Sequence, residues 1–213
     1  MKQGMIGMRT VRQLFAPAAL AAAIAVSTSC GDVVRDSRAP AFVLIDSLLG
    51  VPGGPTVGTA GSILHSDVLN LITTPAPCSP AAPCPTIFSD PGTVALRLAM
   101  KNYLVSPSFN NEVTITRYHV SYRRADGRNT QGVDVPWAFD GAATGTIPAT
   151  GDLTIGFELV RAVAKAEAPL RQLVDSPTIL SVIADVTFYG KDRVGNDASV
   201  SGSITIEFAN YGG

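Results

Sequence analysis

The side chains that could do chemistry in this chain are few: two histidines, three cysteines, one tryptophan and a scatter of carboxylates. His65-Ser66-Asp67 sets the three residue types of a hydrolytic triad in succession. A triad needs nucleophile, base and orienting acid to meet in one chain of hydrogen bonds. Neighbours on a strand point to opposite faces, so the run reads as an ordinary polar strand end. His119 falls between Tyr118 and Val120, on the face opposite the apolar set, and reads as a solvent-facing strand residue. Cys78 and Cys84 lack a zinc spacing and have no second Cys or His pair beside them, so a disulfide is expected. Asp192 and Asn196 could offer oxygens to calcium. An acid-poor loop lacks the roughly six or more oxygens that ion takes, so they read as turn formers. Trp137 is the only tryptophan. With Tyr118 and Tyr122 it could form a sugar-stacking platform, the alternative being that these aromatics fill a core. Arg123-Arg124-Ala125-Asp126-Gly127-Arg128 is locally basic, but in a chain of net charge −1 it reads as a solvated turn. That balance also speaks against a nucleic-acid footprint. No Gly-rich phosphate loop or dinucleotide motif occurs, and no metal or cofactor is expected.

Cys30 belongs to a different context. Residues 1–13 carry Lys2, Arg9 and Arg12 and no acid, and an apolar run from Leu14 to Val26 follows, broken by Pro17. It is too short for the roughly 20 residues of a membrane-spanning helix. The pattern is that of a secretory signal peptide. Ser27-Thr28-Ser29-Cys30-Gly31 resembles a bacterial lipobox, in which small residues precede a cysteine that receives diacylglycerol and becomes the new N-terminus. Thr28 and Ser29 fit the pattern. Ser27 departs from it, since Leu, Val or Ile is usual there, and Ser27 with Ser29 also satisfies an ordinary small-x-small cleavage rule. With Cys78 and Cys84 paired, Cys30 is the odd cysteine, and lipidation accounts for it. The expected division is residues 1–29 as signal peptide, 30–40 as lipidated cysteine and short linker, and 41–213 as a single enlarged β-sandwich domain. Without residues 1–29 the chain keeps 13 Lys and Arg against 17 Asp and Glu, a net charge of −4. A weakly acidic body gains nothing from anionic lipid, so attachment to the membrane must come from the acyl chains.

The elements that must position these residues are strands. Hydrophobic residues are 46% of the chain and charged residues 15%, and Gly and Pro number 20 and 15, which suits a turn-rich all-β architecture. Period two runs through Phe42–Leu48, Thr93–Tyr103 and Leu153–Leu159. Val113–Arg124 changes phase between Ile115 and Tyr118, which predicts a β-bulge near Arg117. Ile63–Ile72 reads as a strand and Val133–Phe139 as another. Residues 50–61 and 73–85, rich in Gly and Pro, read as loops. Residues 160–174 match both a helical stripe (Leu159, Val163, Ala166, Leu170, Leu173) and a strand (Val160, Ala162, Ala164, Ala166), with Pro169 interrupting either. Leu180, Val182, Ala184, Val186 and Phe188 line one face of a long strand. A turn at 191–196 leads to its return, with Val200, Ile204, Ile206 and Phe208 in phase.

About eight strands with turn-rich links point to a β-sandwich. Ile115-Thr-Arg-Tyr118-His-Val120-Ser-Tyr122 is similar to the third strand of fibronectin type III domains, and Phe188-Tyr-Gly-Lys-Asp192-Arg-Val-Gly195-Asn196 resembles the last hairpin of bacterial immunoglobulin-like modules. The whole layout resembles uncharacterised bacterial lipoproteins of immunoglobulin-like fold. That resemblance implies a fold and a compartment and brings no activity with it. The expected role is a non-catalytic envelope lipoprotein that binds or scaffolds a protein partner. A carbohydrate-binding module using Trp137, Tyr118 and Tyr122 is the alternative. Gly31, not Asp, follows Cys30, so the aspartate retention signal of some inner-membrane lipoproteins is absent and the outer membrane is expected.

Overall fold

The computed structural model describes residues 38–56 and 58–212. The expected signal peptide, Cys30 and the expected linker up to residue 37 lie outside the described residues. The protein is mostly β, with two facing sheets in a sandwich-like arrangement. Strands β1 (Ala41–Gly50), β5 (Asp90–Met100) and β8 (Asp152–Val160) form an antiparallel sheet in the order β1-β5-β8. The second sheet has β2 (Ile63–Asp67), β10 (Asp197–Ala209), β9 (Leu180–Asp192), β6 (Val113–Arg123) and β7 (Phe139–Ile147) in that spatial order. Its neighbours are antiparallel except β2, which runs parallel to β10. A two-stranded ribbon of β3 (Asn70–Ile72) and β4 (Cys84–Thr86) stands apart, closed by the Cys78–Cys84 disulfide, whose Cα atoms are 5.3 Å apart.

Each sheet buries one face against the other, which is why alternation is so legible in the long strands. Leu180, Val182, Ala184, Val186 and Phe188 are all buried, as are Ile204, Ile206 and Phe208 on the return strand, with Val200 partly so. At the centre, the Phe157 ring of the three-stranded sheet meets Tyr118 and Phe188 of the other edge-on, each with centroids 5.2 Å away. The register of β6 slips between Ile115 and Arg117 against both of its neighbours, at the expected bulge. The slip keeps Ile115 and Tyr118 both in the core and turns Arg117 outward, its guanidinium 3.9 Å from the centroid of the Tyr189 ring.

Two expectations are corrected, and the stretch that fitted both helix and strand is resolved. Val133–Phe139 is a turn and loop, because Gly132 takes a φ of +75° and Pro136 has no N–H to give a ladder; the strand begins at Phe139 and runs to Ile147. Ile63–Ile72 breaks after Asp67 into β2 and β3. Residues 160–174 are neither one helix nor a strand. A five-residue helix, α1 (Ala162–Ala166), is followed by a 3-10 turn at Leu170–Leu173. Leu170 and Leu173 are buried as the helical stripe requires, but Val163 faces solvent and Lys165 points inward.

The pairing gives the sandwich two ends. One carries the loop 51–62, the start of β5 and α1; the other carries the start of β1, the loop 101–112 and the hairpin turn 193–196.

Candidate functional site

The most concentrated polar chemistry lies at the α1 end, and it is sealed. Lys165 and Asp90 have fully buried side chains, 2.8 Å apart from Nζ to Oδ1. Lys165 Nζ also donates to the Asp67 carbonyl at 2.9 Å. Ser66 Oγ donates to Asp90 Oδ2 at 2.6 Å, and the Gly53 amide donates to Oδ1 at 2.7 Å. The carboxylate therefore ties together β5, β2, the loop after β1 and α1. Burial pushes the Asp90 carboxyl above its ordinary range, against the pull of the Lys165 ammonium and three donated hydrogen bonds. Gly53 is required by close approach: a Cβ there would lie 2.0 Å from the Ser89 carbonyl oxygen. Ser66 is in phase with Leu64 and Val68, both fully buried, so β2 carries its hydroxyl into the core, where no substrate can meet it.

Directly outside this network is an open cleft of about 320 Å³, lined by the Pro52–Thr56 loop, Gly58, His65, Asp67, Asn70 and Tyr211. His65 Nδ1 lies 3.1 Å from Glu207, and its ring packs edge-on against Tyr211 with centroids 5.9 Å apart. Asp67 Oδ1 accepts from the amides of Leu69 and Tyr211, both at 3.3 Å. The Asn70 Nδ2 amide is buried and has no hydrogen-bond partner, leaving a donor beside the cleft without an acceptor. Ser66 thus turns inward to Asp90 while His65 and Asp67 face the cleft, so the three do not meet in one chain of hydrogen bonds, as alternation on a strand demands. The sequence nonetheless marked Ser66 wrongly as an ordinary strand-end residue. Its period-two phase with Leu64 and Val68 was the signal that it needed a buried partner.

The remaining sequence-predicted residues disperse. Tyr118 and Tyr122 are core residues, 3% and 6% exposed, whereas Trp137 is 58% exposed on the loop before β7. The three aromatics therefore do not share one surface. Tyr122 donates to the Leu159 carbonyl at 2.7 Å, and the Tyr118 hydroxyl accepts from the Glu158 amide at 3.1 Å. Burial raises both phenols above their usual range. His119 is partly exposed and 3.2 Å from Asp140. Asp192 is a turn former: Oδ1 accepts from the amides of Val194 and Asn196, and Oδ2 from the Asn196 side chain. The Arg124–Asp126–Arg128 run closes on itself, and hydrogen bonds from Arg124 and Arg128 hold the Asp126 carboxyl well below the usual carboxylate range. Among the described residues no cluster of His, Cys, Asp and Glu is arranged to hold a metal ion, and no helix is long and apolar enough to cross a membrane.

No protein-family model matches the chain, and no curated protein sequence matches it.

Proposed function

We propose that this chain is a non-catalytic binding module of a bacterial envelope, an immunoglobulin-like sandwich tied to the outer membrane by lipid on Cys30. Strand order supports the immunoglobulin-like reading. With β1, β5 and β8 as A, B and E, and β6, β9 and β10 as C, F and G, the two sheets follow the A-B-E and C-F-G grouping of that fold. The observation that carries the binding role is the contrast at the α1 end. The serine, carboxylate and lysine that could do covalent chemistry are buried and spent on one another, while the unpartnered Asn70 amide borders an open cleft. The partner in this reading is an envelope protein. Mild crosslinking in the native cell, followed by mapping, tests it: crosslinks to one partner should concentrate on residues 52–58 and 65–70. Crosslinks spread evenly over the surface would sink the cleft as the binding site.

The exposed Trp137 supports a second reading, a carbohydrate-binding module using that indole without the two buried tyrosines. Its emission should then shift on titration with envelope glycans. Unchanged emission across such a panel removes that reading.

A further inference from the structure

The end of the sandwich opposite the cleft carries an apolar tip. Tyr103, Leu104 and Val105 are 89%, 77% and 49% exposed, the longest consecutive run of exposed large hydrophobic residues among the described residues. Phe109, from the same loop, and Val194, from the hairpin turn at the same end, are exposed as well. The two loops are fastened together: Arg193 Nη2 is 2.7 Å from Glu112 Oε2, and its guanidinium lies 3.8 Å from the centroid of the Phe109 ring. From Asn102 to Asn111 the loop contains no charged residue at all. Monomeric surfaces rarely leave such a patch uncovered without a use for it.

The path of the chain names the occupant. Strand β1 begins at this same end, where Ala41 pairs with Met100 and the Lys101 amide donates to the Pro40 carbonyl at 2.9 Å. Residues 1–37 therefore join the described body next to the tip, not at the cleft. Gly31 to Pro40 is ten residues, and a fully extended stretch of that length spans about 35 Å at most. A lipid on Cys30 would tether the body to a bilayer by this end. The chemistry of the tip suits the interface: a tyrosine for the headgroup level, leucine, valine and phenylalanine for the acyl boundary, and the cations Lys101 and Arg38 where the loop and β1 begin. We infer that the loop 102–111 inserts into the surface of the lipid bilayer, standing the sandwich upright with its cleft facing away. This orientation rests on the lipid-anchor reading, whereas the insertion of the tip is testable by itself.

The test uses the mature protein in vesicles of brominated and unbrominated phospholipid, after intact-mass measurement. The single native Trp137 lies at the far end, along a strand β6 roughly 35 Å long at about 3.3 Å per residue. Its emission should be the same in both vesicles. In L104W/W137F, and independently in Y103W/W137F, the emission should move to shorter wavelength and be lost in brominated vesicles. Tyr103, Leu104 and Trp137 are all exposed, so the fold does not depend on them. Absence of quenching in both probes overturns the inference, as does equal quenching of Trp137, which would mean the body lies on its side. A tip quenched only after a partner protein is added would also overturn it in favour of a protein contact. The mass reads the anchor separately: a mature form without lipid mass sinks the anchor, while quenching still reports the tip.

Discussion

Lys165 is the residue on which sequence and structure part most. It lies in the stretch 160–174, whose pattern fits helix and strand alike and gives no sign of a buried charge, yet it is fully buried against Asp90. A buried pair is costly to break because the survivor keeps its desolvation penalty without its partner. Lys165→Met should therefore cost about 3–5 kcal/mol in denaturant unfolding, with the fold retained. The same variant should show a pH signature. Burial already raises the Asp90 carboxyl in the wild type, and removing the ammonium raises it further. A carboxyl raised in the folded state binds more protons there than in the unfolded chain, so stability falls as pH rises above the ordinary carboxylate value. Lys165→Met should recover part of its loss as the pH is lowered toward 4 to 5, in the interval just above the ordinary aspartate value of roughly 4. A loss independent of pH would show that Asp90 is not the group left unpaired. Arg193 is also more engaged than a hairpin turn suggests, since it meets both Glu112 and Phe109. Even so, an ion pair this exposed is worth about 0–1 kcal/mol, and Arg193→Ala should stay near that range.

At the scale of elements, the long strands were legible because one face of each is in the core. The bulge in β6 was legible because Ile115 and Tyr118 cannot share a face without it. Strand β7 was not, and Gly141 shows why. The Tyr118 ring crosses that position, where a Cβ would lie 2.2 Å from its Cζ, so the strand gives up a side chain that would have marked its period. Gly141→Ala should cost about 1–3 kcal/mol by overpacking, read as a lower denaturation midpoint at unchanged slope. A neutral substitution would mean that Tyr118 can move aside. The candidate cleft was invisible for a different reason: its walls come from the loop after β1, from β2 and β3, and from Tyr211, which only the parallel pairing of β2 with β10 brings together. The Cys78–Cys84 bridge, by contrast, followed from the short spacing of the two cysteines and the lack of a zinc pattern around them. It closes a short, proline-stiffened loop, so its entropic stabilisation is about 2 kcal/mol or less. Replacing both cysteines with serine should lower the Tm by roughly 8 °C at most. Global unfolding of that variant would show that the ribbon holds far more than itself.

At the scale of the whole molecule, the described residues share one core, with buried residues from Val43 to Phe208 in a single cluster spanning both sheets. Several contacts couple the sheets, and two of them join different strand pairs. The Asp90 carboxylate of β5 accepts from Ser66 of β2, and the Phe157 ring of β8 stands edge-on to Phe188 of β9 at an interplanar angle of 86°. Coupling of this kind predicts all-or-none unfolding, in which a cavity in either sheet weakens both equally. Phe157→Ala and Phe188→Ala should each cost about 3–5 kcal/mol, although they lie on opposite sheets. Edge-on aromatic pairs contribute about 0.5–1.5 kcal/mol beyond their buried area. The double variant should therefore cost less than the two single losses together, by about that amount, because the contact can be lost only once. Urea unfolding followed by far-ultraviolet circular dichroism and by near-ultraviolet tyrosine signals should give coincident midpoints in all three variants. Strict additivity would mean that the rings pack without specific coupling. Separated midpoints for the two signals would mean that the sheets are independent units and that the Asp90 network does not bind one to the other.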